Sequence, residues 1–497
     1  MSTLTNVLER EVRRAEETAA AEHALQKNRL THHLMPPAGW LNDPNGLCYY
    51  KGRYHVFFQY SPFDPEGGLK FWGHYSSEDL VNWVYEGTAL YPDSVDDCHG
   101  VYSGSAIVED DVMHLFFSGN VKLEGDYDYI NDGRRSSTLH VVSRDGKHFE
   151  KKEVAISYEK YPEDYTCHIR DPKVWKEEES YHLVLGGRKK NDQGAVLIYR
   201  SPDLKNWTFS HEITTEEPFG YMWECPDLFT LSDTKILSVS PQGLTRKDNR
   251  FQNIYASGYF LMEKDLQAEN FQEWDMGFDF YAPQTFSDEK NRRILIGWMG
   301  MPDAQEEYIN PTAKEEHWQH CLTVPREVTL KNNRLYQYPV EEISGLRGEE
   351  IPLNVRKIKN PSGNETTLLY NSRSESDSDK NIAVHTSFDL ELQVCGESVR
   401  VALGNDLLLR YEDGKATITL SEKAGAGRTK RNALIPSGKL EEIRILADTT
   451  AIEIYLNQGE VVFSTRFYPD AQPLLIEAEA DQVEGRLFRL NRMHVVM

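Results

Sequence analysis

One heptapeptide marker recurs along the N-terminal part of the chain and constrains the fold more than any other feature. It reads Ser77-Glu78-Asp79-Leu80-Val81-Asn82-Trp83 and returns as Ser201-Pro202-Asp203-Leu204-Lys205-Asn206-Trp207. Ser143-Arg144-Asp145-Gly146-Lys147-His148-Phe149 is a looser copy, and Lys264-Asp265-Leu266 a weaker one. The aspartates repeat about every 60 residues, a period that belongs to repeat architectures. A second series keeps the same rhythm ahead of the markers. It comprises Asn42-Asp43-Pro44-Asn45-Gly46, Ser103-Gly104-Ser105, Arg170-Asp171-Pro172, Glu224-Cys225-Pro226-Asp227 and Tyr281-Ala282-Pro283-Gln284. After each comes a short strand of β-branched and aromatic residues bounded by turn formers, as in Tyr54–Phe58, His114–Phe117, Tyr181–Leu185, Ile236–Val239 and Ile294–Trp298. Five units of about four strands predict an all-β fold, a five-bladed β-propeller. A β-sandwich with chance periodicity is the alternative. In a propeller, equivalent positions circle one axis, so Asp43, Asp171 and Glu224 would meet at one mouth of the channel.

From about Gln337 the rhythm changes to alternating segments such as Val399–Leu403, Ala416–Leu420 and Ile452–Leu456, which read as half-exposed antiparallel strands of a β-sandwich. A length of 497 residues also favours two domains. The expected division is an N-terminal helical extension over 1–29, the propeller over 30–337, a linker over 338–354 and the sandwich over 355–497. In the extension Leu4, Val7, Leu8 and Val12 fall at helical spacing. The polar stretch Ser372 to Lys380 reads as a surface loop. Whether the sandwich braces the propeller or pairs with a second copy in a homodimer is open at this level.

A formal net charge of −24 argues against a nucleic-acid partner, since phosphate backbones call for clustered Lys and Arg. It leaves room for a small anionic substrate. No run approaches the roughly 18–20 apolar residues that span a bilayer, so no membrane partner is expected. The N-terminus shows no apolar leader core. Cys48, Cys98, Cys167, Cys225, Cys321 and Cys395 form no CxxC pair, which fits reduced thiols and a cytoplasmic location.

The in-phase carboxylates suit glycosidic cleavage, which develops positive charge on the anomeric carbon and needs an acid on one face and a carboxylate on the other. Asp43 sits among turn formers, and a hairpin turn alone would explain it. Glu224 follows Trp223, whose indole would desolvate the carboxyl and raise its pKa, as an acid working near neutrality requires. A strand-end ion pair is the plainer reading. Asp171 in Arg170-Asp171-Pro172 is either a turn or a carboxylate kept ionised by Arg170 to favour developing positive charge. Trp72, Tyr102, Tyr281 and Trp298 are candidates to stack on sugar faces, although aromatics at strand ends are more often core. Asn42, Gln59 and Ser103 are candidate hydroxyl partners by type and phase. The basic run Arg188, Lys189 and Lys190 lies nearby in the repeat, and a solvated strand end explains it equally well. His317-Trp318-Gln319-His320-Cys321 has no further ligand cluster, so no metal is expected. The chain carries no phosphate-binding loop or dinucleotide fingerprint, so no cofactor is expected.

Together, Trp40–Gly46, Arg170-Asp171-Pro172, Glu224-Cys225-Pro226, Phe280–Gln284 and Gly297-Trp298-Met299-Gly300 resemble the ordered blocks of the β-fructofuranosidase family, which includes invertases, fructan hydrolases and bacterial sucrose-6-phosphate hydrolases. The resemblance runs from about Leu30 through the C-terminal domain. It implies a five-bladed propeller plus sandwich and a retaining mechanism. It further implies Asp43 as nucleophile, Glu224 as acid and then base, and Asp171 as transition-state stabiliser, with no cofactor. The two catalytic carboxyls would then stand about 5–5.5 Å apart. Tyr102 departs from the Phe that usually precedes Ser-Gly-Ser. His33–Pro37 and Gly220–Glu224 resemble the sucrose-6-phosphate hydrolases most, with sucrose, short fructans or fructosyl transfer as alternatives. An inverting propeller hydrolase of arabinose or xylose polymers and a non-catalytic sugar-binding protein are the rival readings.

Overall fold

The computed structural model describes every residue except 1, 263–267, 307, 309, 360–364, 372–386, 470–474 and 497. The weak marker at Lys264-Asp265-Leu266 and the Ser372–Lys380 stretch lie outside the described residues.

Five antiparallel sheets form the blades, each threading outward from the axis in chain order. The innermost strands are Gly39–Tyr50, Val101–Glu109, Tyr165–Glu177, Met222–Leu231 and Tyr281–Ser287. The recurring marker proves to be the turn from the third to the fourth strand of a blade, as between Phe71–Ser77 and Trp83–Leu90. Its residue types follow from the turn. Asp79 accepts the Val81 and Asn82 amides at 3.1 and 2.7 Å and the Asn82 side chain at 2.6 Å. The Trp83 indole then donates to the Leu80 carbonyl at 3.2 Å. Asp203 repeats the arrangement with Lys205, Asn206 and Trp207. Short polar side chains that hold their own backbone favour turns, which accounts for the Asp and Asn in the motif.

The ring is closed on blade one. Trp318–Gln319, which leaves blade five, pairs in parallel with Gly39–Trp40 on the inner edge, while Val495–Val496 pairs in parallel with Trp83–Val84 on the outer edge. Thr3–Glu22 forms the expected helix, capped by Ser2, which accepts the Thr5 amide at 3.0 Å. It docks on blade one through buried Val12 and through Glu16, which accepts from Tyr60 and Tyr85 at 3.1 and 2.6 Å. Only part of its apolar stripe is covered, since Leu4 is 50% exposed.

The segment expected as a linker is folded. After a short helical turn at Glu341–Leu346, Arg347–Ile351 becomes the edge strand of one sandwich sheet and Leu353–Lys359 opens the other. The sandwich braces the propeller through a buried ionic network. His33 lies between Asp448 and Glu453, 2.9 Å from each, and Arg326 donates to Glu453 and to Asp275 at 3.0 and 3.2 Å. His32, His33 and Asp448 have the composition of a metal site. However, both nitrogens of His33 are spent as donors to carboxylates, and burial, which alone would lower its pKa, is outweighed so that it rises to about 9.

Candidate active site

Each inner strand breaks register where it reaches the channel mouth. The shifts fall between Asn42 and Pro44, Val101 and Gly104, Glu224 and Asp227, and Tyr281 and Gln284, and in blade three opposite Val184 and Gly186. Asp171, Cys225 and Ala282 have positive φ of 64°, 46° and 47°. A regular strand sends neighbouring side chains to opposite faces, whereas a bulge re-aims one of them. Consecutive residues therefore reach the same space: Asn42 with Asp43, Arg170 with Asp171, and Glu224 with Cys225 line one cavity of about 330 Å³. Aligned on the following Pro or Gly, Asn42, Tyr102, Arg170, Glu224 and Tyr281 form one tier, and Asp43, Ser103, Asp171, Cys225 and Ala282 the next. The proline after each pair suits a strand interrupted in its ladder.

Asp43 terminates a hydrogen-bond chain with a single polarity. The Trp40 indole, which can only donate, gives its hydrogen to Asn42 Oδ1 at 2.7 Å. Asn42 Nδ2 donates to Gln59 Oε1 at 2.9 Å, Gln59 Nε2 to Ser103 Oγ at 2.5 Å, and Ser103 Oγ to Asp43 Oδ2 at 2.5 Å. The direction set by the indole leaves Asp43 as acceptor, the arrangement that favours its ionised form. Burial pushes its pKa up, Ser103 and Asn42 pull it down, and Glu224 adds repulsion.

Asp171 is buried beside the Cys225 amide, which donates to Oδ2 at 3.0 Å, while its own amide donates to Ser118 Oγ at 2.8 Å. Burial raises its pKa to about 7, opposed by Arg170 and reinforced by the charges of Glu224 and Asp43. The Cys225 thiol lies 3.8 Å from Asp43 and 3.6 Å from Asp171, joining the two. Glu224 receives Arg170 Nε and Nη2 on Oε1 at 3.1 and 2.6 Å, and Gln242 and Tyr281 on Oε2, each at 2.7 Å. Arg170 Nη1 donates to His168 Nδ1 at 2.7 Å, and His168 Nε2 donates to the Tyr129 carbonyl at 3.0 Å. That pattern requires a neutral imidazole, in line with a pKa lowered by burial and by Arg170. The Tyr281 hydroxyl also lies 3.2 Å from the Ser240 carbonyl. The hydroxyl therefore has two acceptors within reach, the Glu224 carboxyl and the Ser240 carbonyl.

Chemically the cavity sets an acceptor carboxylate on blade one against a carboxyl on blade four held by Arg170, Gln242 and Tyr281, with a third carboxylate on blade three. Two side chains take other places than expected. Trp72 is fully buried between blades, where its indole donates to the Tyr102 carbonyl at 3.1 Å, so it supports the wall instead of facing the cavity. Trp223 turns away from Glu224 into the core, donating to the Phe219 carbonyl and packing on Phe260. Glu224 is surrounded by Arg170, Gln242 and Tyr281 instead of by an indole. Two of the three cations in the basic run are paired: Arg188 with Asp192 at 2.6 Å, and Lys189 with Asp164 and Glu212. Trp40, Lys70, Arg134 and Gln242 complete the surroundings and were not singled out by sequence. Trp40 lies on the inner strand of blade one, Lys70 just before the third strand of that blade, Arg134 at the start of the third strand of blade two and Gln242 at the end of the second strand of blade four.

The propeller, residues 33–339, matches the model for the Glycosyl hydrolases family 32 N-terminal domain, and residues 353–491 match the family's C-terminal model. The chain is 38% identical over 461 residues to a sucrose-6-phosphate hydrolase of Bacillus subtilis (strain 168), covering 89% of each protein. It is 35% identical to a raffinose invertase of Escherichia coli, covering 92% of this chain and 94% of that one. Among solved structures, a Bombyx mori GH32 β-fructofuranosidase superposes with a TM-score of 0.82 at 30% identity, over 99% of this chain and 100% of that chain. The sucrose-6-phosphate hydrolase from Lactobacillus gasseri gives 0.81 at 29% identity, over 97% and 96%. Two consecutive family models across propeller and sandwich, with relatives of this similarity along nearly the whole length, make the chain a member of glycosyl hydrolase family 32.

Proposed function

We propose that this protein is a retaining β-fructofuranosidase that cleaves the fructosyl bond of sucrose or sucrose-6-phosphate, with Asp43 as nucleophile, Glu224 as acid and then base, and Asp171 as stabiliser of the developing oxocarbenium charge. The observation that carries this reading is the polarity of the chain ending on Asp43. Trp40, Asn42, Gln59 and Ser103 leave it a pure acceptor in the same cavity as the Glu224 carboxyl.

In the first half-reaction Asp43 attacks the anomeric carbon of fructose while Glu224 passes its proton to the departing glycosidic oxygen. The C–O bond breaks, and a fructosyl ester forms on Asp43. In the second, Glu224 takes a proton from water, the water oxygen attacks the same carbon, and the ester bond breaks to return the Asp43 carboxylate. Asn42 and Gln59, held by each other, are placed to take fructose hydroxyls. The relatives named sucrose-6-phosphate hydrolase support the substrate class. The six cysteines stand as free thiols, which supports work in the cytoplasm.

The test is turnover of sucrose and sucrose-6-phosphate by the parent and by Asp43→Asn. Cleavage by the parent with at least a 10³-fold loss in the variant is expected, the scale on which members of a catalytic unit act. A variant as active as the parent would remove Asp43 from the chemistry. Transfer of fructose to sugar in place of water, read from the products, would make the protein a transferase using the same three carboxylates.

A further inference from the structure

Among the described residues, Arg134 at the cavity and Lys122 on the same hairpin have no carboxylate at ion-pair distance. Val112–Lys122 and Arg134–Ser143 pair antiparallel, and Lys122 stands directly opposite Arg134. Like charges at directly opposed positions are destabilising unless something negative lies between or above them. Arg134 lines the cavity with Arg170 and Glu224, and its Nε is buried without a hydrogen-bond partner. Among the described residues no ion pair reaches Arg134 or Lys122. The acidic side chains of the loop joining the two strands do not serve: Asp128, for one, is occupied by the Ile130 and Asn131 amides at 2.8 Å.

Lys70, also in the cavity, is differently placed. It lies 4.7 Å over the Trp40 ring on the Asp43 side, where Asp43 and Asp64 offset the burial that lowers its pKa to about 7. The hairpin of Arg134, by contrast, is anchored to the Glu224 side. His168 holds the Tyr129 carbonyl of its loop and accepts from Arg170, which in turn holds Glu224. Since the acid protonates the leaving oxygen, the departing sugar sits on that side. Uncompensated charge there matches an anionic group carried by the leaving sugar and not by fructose.

We propose that Arg134, seconded by Lys122, binds the phosphate of a phosphorylated leaving-group hexose and so sets the preference between sucrose-6-phosphate and sucrose. The inference rests on the β-fructofuranosidase reading above. A guanidinium suits the role because its forked donors meet two phosphate oxygens at once.

The experiment measures kcat/KM for both sugars on the parent, Arg134→Gln, Arg134→Lys and Lys122→Gln, each pair on one protein preparation. The parent is expected to favour the phosphorylated sugar. In Arg134→Gln the ratio of the two values should fall about 10- to 100-fold, through KM on the phosphorylated sugar. Arg134→Lys should lose less, and Lys122→Gln less again. The preference should also weaken with added salt. A fold defect would lower both values together and leave the ratio in place. A ratio unchanged within twofold in Arg134→Gln, or a parent that favours sucrose, would overturn the clamp while leaving the enzyme assignment standing. A parent that cleaves neither sugar would instead overturn the assignment. The clamp would then be decided by calorimetric titration of glucose-6-phosphate against glucose, with phosphate-dependent binding lost in Arg134→Gln as the supporting result and equal binding as the contrary one.

Discussion

Ser103 of blade two donates its hydroxyl to Asp43 of blade one at 2.5 Å, so the charge state of one blade's carboxylate is held by its neighbour. Burial raises the pKa of Asp43, and this bond opposes it. In Ser103→Ala the pKa should therefore rise further. Because Asp43 must be ionised to attack, the acidic limb of the kcat/KM profile should move to higher pH. Turnover at neutral pH should fall about 10- to 100-fold, the scale of a lost hydrogen bond to a charged group. A limb that stays in place would mean Asp43 does not control it.

The Tyr281 hydroxyl lies between the Glu224 carboxyl at 2.7 Å and the Ser240 carbonyl at 3.2 Å. Tyr281→Phe should slow sucrose cleavage about 10- to 100-fold, within the range that proton transfer contributes. The loss should shrink on an aryl β-fructoside, whose leaving group needs no proton. An equal loss on both would assign Tyr281 to binding the fructose ring.

His33 ties propeller to sandwich as an imidazolium between two carboxylates. Its pKa is raised in the fold to about 9 from an ordinary 6.5, so its stabilisation is complete below pH 6.5 and is lost as pH rises through about 9. Glu453 is lowered to about 2, so its share is present above the ordinary Glu range and is lost only in strong acid. Thermal melts should show Tm falling between pH 6.5 and about 9.5. His33→Gln should cost about 3–5 kcal/mol by stranding buried carboxylates and should flatten that slope. A parent Tm constant over the interval would exclude the charged form.

The propeller was legible because its blade turns are made by local side-chain bonds, so Asp79 and Asp203 print the same signature wherever the turn recurs. Asp43, Asp171 and Glu224, which share one cavity, stood out in the sequence because each precedes a proline by one or two residues at an inner-strand bulge. What a sequence does not display is which way a bulge turns a neighbour. Trp223 stands beside Glu224 and Trp72 lies on the third strand of blade one, and both face the core, while Lys70 and Arg134 reach the cavity from the starts of third strands, away from the inner-strand series. The segment 338–354 reads as a linker because a five-residue edge strand such as Arg347–Ile351 is too short to show alternation.

The parallel pairing of Trp318–Gln319 with Gly39–Trp40, and of Val495–Val496 with Trp83–Val84, has a bearing on biogenesis. The strands that complete the blade carrying Asp43 are translated long after it, one of them only after both the propeller and the sandwich. Pairing over such sequence separations is slow, because a long loop must close before any contact rewards it. The nascent chain can assemble blades two to four from neighbouring strands while blade one waits with both edges open. Catalytic competence is therefore among the last properties the protein acquires, and a partly synthesised chain is a set of blades without an enzyme.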